Sequence, residues 1–337
     1  MPPVSRPACA LLWLAWLAVA SAPVSVAAKV HHYIFVGMDR EKLAEPGFLD
    51  HEGVEGVQVK YTWRQLEQGK DAYVFDDLRI DLRLVRSKGK KLFIQVQDST
   101  FALEFMPVPK YLRDDPAYHG GVAQQASYPD GKPEQARPYG WVARRWDLAV
   151  RERFHRLLAA LGKEFDGQIE GINLPESAID IPYAGPFMPS GYTREGYRDA
   201  LLETMAALKT AFPKSTTLLY ANFMSETDPG GKPVYLRSLY EKAVELKVGM
   251  GGPDLLPHRK WQLRNSYPLI REFSDRIPMG IAVQDDNLAD VNPETGKRVT
   301  VPELAAFATD ALHVTYIFWG TQEPYFTRDV LPFLAAR

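Results

Sequence analysis

Gly171-Ile172-Asn173-Leu174-Pro175-Glu176-Ser177 is the stretch on which the reading of this 337-residue chain turns. A short apolar run of the kind that forms a buried strand stops abruptly at a proline and a carboxylate. If such a unit repeats, with a helix after each strand, the chain closes into a barrel whose strand tips all open on one face.

The unit does repeat. Apolar or β-branched runs bounded by turn signals predict strands at 30–36, 56–63, 91–96, 168–174, 216–223, 248–250, 279–283 and 313–318. Apolar residues at three- and four-residue spacing predict helices at 76–88, 146–165, 193–212, 234–246, 261–273 and 301–311. The strand tips fall at Trp63, Asp98, Glu176, Met224, Asp254, Asp285 and Trp319, mostly one strand plus one crossover helix apart. The expected fold is therefore α/β, a (β/α)8 TIM barrel forming one domain over 29–337. Residues 99–140, rich in Pro, Tyr, Gly and Asp, read as a long loop on the tip face, where such loops carry function.

The rival architecture is an open, doubly wound sheet. Its fingerprint is missing, because no Gly-x-Gly-x-x-Gly follows the first strand and no phosphate loop occurs. Gly249-Met250-Gly251-Gly252 lacks the lysine and helix start of a phosphate cradle and reads as a close-packed turn.

Forty Lys plus Arg against 42 Asp plus Glu leave no basic field for nucleic acid. Residues 1–28 read as a signal peptide: Arg6 precedes an apolar run over 8–20, and Val26-Ala27-Ala28 offers a cleavage site. A periplasmic or secreted protein, off the membrane after cleavage, is expected. The single cysteine, Cys9, lies in that leader, which excludes disulfides and thiol nucleophiles from the mature chain. A monomer is expected.

In such a barrel the tips converge. Tyr61, Trp63, Gln97, Asp98, Glu176, Asn222, Asp254, Gln284, Asp285, Trp319, Glu323 and Tyr325 all lie at or just past a tip. Carboxylates paired across an aromatic-walled pocket suit glycoside chemistry, because one acid protonates the leaving oxygen while the other attacks or stabilises the oxocarbenium-like centre. Against this stand plainer roles: Glu176 as a salt-bridged rim residue, Asp98-Ser99-Thr100 as a turn cap, Asp285-Asp286-Asn287 as a turn, and Trp63 and Trp319 as core. Seven scattered histidines form no metal-binding spacing, Gly-x-Ser-x-Gly is absent, and neither metal nor cofactor is expected. Lys60, the nearest candidate for an inward lysine, fits pairing with a tip carboxylate better than Schiff-base chemistry.

Gly56 to Glu67, with its Trp63-Arg64-Gln65-Leu66-Glu67, followed by Tyr73-Val74-Phe75-Asp76, resembles the second-strand region of the glycoside hydrolase barrel superfamily, including enzymes of the family 5 and family 42 type. The likeness extends to a strand-four glutamate at Glu176 and a strand-eight tryptophan at Trp319. It departs at Pro175-Glu176, where that group has Asn-Glu, and at Gln284-Asp285, where it has a nucleophilic glutamate. The resemblance implies an acid/base role for Glu176 and a nucleophile or electrostatic role for Asp285, with Glu323 in reserve. Tyr61, Trp63 and Trp319 are the expected sugar platforms, and Asp98, Asn222, Gln284 and Glu323 further substrate contacts. Hydrolysis of a glycosidic bond in an oligo- or polysaccharide is the expected activity. The rival is a non-catalytic carbohydrate-binding protein on a degenerate glycosidase barrel, favoured by Gln284.

Overall fold

The computed structural model describes residues 29–129, 132–224, 233–284 and 286–337. The leader-like residues 1–28, Cys9 among them, lie outside the described residues, as does Asp285. Eight parallel strands close into a barrel: β1 (His31–Gly37), β2 (Gly56–Thr62), β3 (Lys91–Gln97), β4 (Gly171–Leu174), β5 (Thr216–Tyr220), β6 (Gly249–Gly252), β7 (Met279–Val283) and β8 (Tyr316–Gly320). Each strand pairs with its sequence neighbour and β8 closes on β1, so the expected (β/α)8 barrel is the observed one.

Alternation along the strands separates two cores. Tyr33, Phe93, Leu218, Tyr220, Ala282, Tyr316 and Phe318 point inward and fill the barrel. Their neighbours Ile34, Val57, Val59, Ile94, Ile172, Leu219, Ile281 and Ile317 point outward into the layer between sheet and helices.

Helices α1 (Asp76–Ser87), α2 (Leu148–Phe165), α3 (Arg194–Ala211) and α4 (Val234–Leu246) cover that layer close to their predicted bounds. Asp147 caps α2 by accepting from the amides of Ala149 and Val150, and Val150, Phe154, Leu157, Leu158 and Leu161 form its buried stripe. The helix expected over 261–273 is two, α5 (Lys260–Arg264) and α6 (Ser266–Phe273), broken at Asn265, whose side chain bonds back to the Trp261 carbonyl. The helix expected over 301–311 is α7 (Val301–Ala306) followed by a π-helical turn at Phe307–Ala311.

Two expectations are corrected. The glycine run after Val248 is β6 itself rather than a turn, because a Cβ on Gly251 would sit 1.6 Å from the Gly280 carbonyl oxygen, and only glycine lets the neighbouring strand approach. The stretch 99–140 is no plain loop. It folds a three-stranded antiparallel sheet from Ser99–Thr100, Val122–Ser127 and Arg137–Ala143, with a short helix at Lys110–Asp114.

Candidate active site

The barrel interior changes character toward the C-terminal mouth. Below lie the rings of Tyr33, Phe93, Tyr316 and Phe318, with Gln58 paired beside Phe93, whereas the upper ends of β2 to β5 carry Lys60, Gln95, Asn173 and Asn222 on inward positions. Lys60, Gln95 and Asn173 stand at one level, paired strand to strand.

Glu176 crowns this polar wall, and its backbone is held on three sides. Its carbonyl accepts from Arg145 Nη1 at 2.9 Å. The next residue, Ser177, donates its amide to the Tyr220 carbonyl and its hydroxyl to the Phe223 carbonyl, while its own carbonyl accepts from the Tyr197 hydroxyl. Pro175 ends the strand and the anchors aim the partly buried carboxylate across the mouth, where Asn222 Nδ2 donates to Glu176 Oε2 at 2.7 Å. Asn222 is buried, and its Oδ1 accepts from the Phe223 amide, which fixes the amide orientation.

Burial pushes the Glu176 carboxyl up to about 7. The hydrogen bond from Asn222 opposes the rise, the charge of Asp254 adds to it, and Arg145 and Lys60 oppose it more weakly. An acid that keeps its proton near neutrality beside a second carboxylate is the equipment of a proton donor.

Asp254, at the tip of β6, is therefore a member of the site that the sequence marked only as a tip. Asn287 Nδ2 donates to Asp254 Oδ1 at 3.2 Å, and Gln262 Nε2 reaches Oδ2 at 3.5 Å. Asn287 Oδ1 also accepts from the amides of Leu255 and Gln284, tying the β6 and β7 tips together. Gln284 continues the inward phase of β7 two residues past Ala282.

Four expected substrate contacts point the wrong way. Tyr61 is buried in the sheet–helix layer and donates to Asp81 on α1 at 2.6 Å. Trp63 is buried against Phe154, with Nε1 bonded to Glu67 at 2.7 Å. Glu67 in turn is wholly buried and paired with Arg153 at 2.6 Å, so the Trp-x-x-Leu-Glu motif serves as a clamp between β2 and α2. Trp319 is buried under Phe333 and donates to His32 Nδ1 at 3.0 Å. Asp98 is buried in a two-oxygen pair with Arg145, at 2.8 and 2.6 Å. Tyr61, Asp98 and Trp319 each follow directly on an inward position, Lys60, Gln97 and Phe318, so their side chains leave on the helix side, and Trp63 opens the helical turn that Thr62 caps. Glu323 is exposed and accepts from the amide and hydroxyl of Thr327, so its carboxylate is engaged locally in the turn that follows β8. Of the expected contacts, the structure joins Glu176 and Asn222 directly, while Gln284 follows β7 with its backbone amide held by Asn287.

Among the described residues no group of three or more His, Cys, Asp or Glu is placed to hold a metal ion, and no helix is long and apolar enough to cross a membrane.

No protein-family profile and no curated protein matches the chain. Similar solved structures include the catalytic domain of a β-amylase from Paenibacillus polymyxa, at 14% identity over 87% of each chain with a TM-score of 0.44. A β-glycosidase matches at 14% identity over 84% of this chain and 75% of its own, TM-score 0.46. Xylanase 10B from Thermotoga petrophila RKU-1, in complex with xylobiose, matches at 10% identity over 86% of this chain and 82% of its own, TM-score 0.49. Similarity at that level assigns no residue a role.

Proposed function

We propose that this protein hydrolyses a glycosidic bond, with Glu176 as the general acid. The observation that carries the reading is the Glu176 carboxyl itself: set at the barrel mouth, oriented by Asn222 and raised by burial to about 7. A protonated carboxyl there delivers its proton to the leaving oxygen, and a second carboxylate stabilises or attacks the positive centre that develops. Asp285, two residues past the end of β7 in the sequence, is the proposed second carboxylate. Asp254 supports the same field from the β6 side, since its charge already reaches Glu176.

A second reading is a carbohydrate-binding protein without turnover. It is favoured by Gln284, a neutral amide on the inward phase at the end of β7. Turnover of aryl glycosides and polysaccharides by the wild type, Glu176→Gln and Asp285→Asn separates the two. Hydrolysis lost in Glu176→Gln supports the acid role; hydrolysis retained there overturns it, and saccharide binding with no turnover in the wild type leaves the second reading. Action outside the cytoplasm is proposed from the leader-like residues 1–28, and N-terminal sequencing of exported protein tests it.

A further inference from the structure

The sheet inserted between β3 and α2 bears an aromatic face that the chemistry at Glu176 does not use. Phe101 is 57% exposed and lies parallel to Tyr139, with ring centroids 6.1 Å apart and planes 14° apart. A phenylalanine more than half exposed forgoes part of a burial worth roughly 1.5–3 kcal/mol, and two parallel rings offer a flat apolar face to a ligand. We propose that Phe101 and Tyr139 form a stacking platform for a sugar ring beyond the bond at Glu176, so that the substrate is an oligo- or polysaccharide rather than a small glycoside. The proposal rests on the glycoside reading and adds the length of the substrate to it.

The platform is built rather than incidental. A Cβ on Gly140 would lie 2.1 Å from the Thr100 carbonyl oxygen, so glycine is what lets Phe101 come alongside Tyr139. The turn beyond Phe101 is pinned: Trp141 Nε1 donates to the Leu103 carbonyl at 2.9 Å and Thr100 Oγ1 to the Phe105 carbonyl at 2.9 Å. The sheet is also tied to the segment that follows Glu176. Buried Gln125 donates to the Thr100 carbonyl and accepts from the Asp180 amide, the Ala126 amide bonds to the Asp180 carbonyl, and the Tyr139 hydroxyl donates to the Asp180 carboxylate. Asp180 lies four residues past Glu176 in the chain, so these bonds hold the platform to the segment that leaves the reacting carboxyl.

The chemistry of the patch selects the occupant. A sugar ring has an apolar C–H face that lies on an aromatic plane and a rim of hydroxyls that bond to groups such as Asp180 and Tyr139. An anionic lipid surface needs a clustered basic rim, whereas here the Asp180 carboxylate bonds to Tyr139 itself and Arg137 stands two residues before it on the same strand, a patch of mixed sign.

Isothermal titration of the full chain with a panel of oligosaccharides and soluble polysaccharides tests the platform, together with turnover of aryl monoglycosides. Phe101→Ala is expected to weaken oligosaccharide binding about 3- to 10-fold, the size of one aromatic stacking contact, and Phe101→Tyr to restore it. Turnover of aryl monoglycosides stays unchanged. Oligosaccharide affinity in Phe101→Ala equal to wild type overturns the platform and leaves the glycoside reading standing. A wild type that neither binds nor cleaves any member of the panel overturns both. Vesicle binding lost in Phe101→Ala while saccharide binding persists assigns the patch to a membrane and overturns the platform.

Discussion

Asn222 Nδ2 donates to Glu176 Oε2 at 2.7 Å across the barrel mouth, joining the tips of β4 and β5. The bond favours the charged carboxylate, while burial favours the neutral acid and prevails. Removing the donor in Asn222→Ala therefore raises the Glu176 pKa further. In the pH–rate profile, the fall in kcat/KM on the alkaline side, set by loss of the Glu176 proton near 7, is expected to move to higher pH. An unmoved or lowered limb refutes the role given to Asn222.

Glu176→Gln keeps the shape of the neutral acid and removes the proton. A loss of about 10²- to 10⁴-fold in kcat is expected for substrates with a poor leaving group, and a smaller loss for activated aryl glycosides that need little protonation. Comparing the two substrate types isolates the proton-donor step; equal losses on both argue against it.

The same carboxyl links stability to pH. Its folded-state value of about 7 stands above the ordinary 4.5, so the folded protein holds the proton more tightly. That stabilisation is fully present below pH 4.5 and is lost as pH rises through 7. Glu176→Gln does not titrate, so its Tm relative to wild type is expected to rise between pH 4.5 and 8, by an amount equivalent to roughly 1–3 kcal/mol. A constant Tm difference across that range contradicts the raised value.

Arg145 and Asp98 are both buried and bound through two oxygens. Asp98→Asn leaves the guanidinium short of its counter-charge at a cost of about 3–5 kcal/mol, measurable by urea unfolding. Arg145 also holds the Glu176 carbonyl, so Arg145→Met is expected to lower kcat beyond what lost stability explains, checked on the folded fraction at low temperature.

Trp319→Phe and Trp63→Phe test the outward placement of those rings. Each leaves a buried acceptor unpaired, His32 Nδ1 or a Glu67 oxygen, and is expected to cost about 1–3 kcal/mol in Tm experiments with KM unchanged. A raised KM at unaltered stability is the opposite result and returns these rings to the pocket.

The sequence by itself determined the architecture. Apolar runs at barrel spacing, the carboxylate after Pro175 and helical periodicity between them located all eight strands, because burial in a closed parallel barrel leaves its period in the chain. It also held an unread signal: in Val57-Gln58-Val59-Lys60-Tyr61 and Phe93-Ile94-Gln95-Val96-Gln97 the polar residues alternate, which marks them as inward and sends Tyr61 and Asp98 to the helix side. What only the tertiary structure decided is which tips meet. The Asn222 bond to Glu176, the reach of Asp254 and the docking of the Phe101–Tyr139 shelf through Asp180 join residues from separate strands and an inserted sheet. Contacts of that kind depend on strand register and loop path, and neither leaves a periodicity in the local sequence.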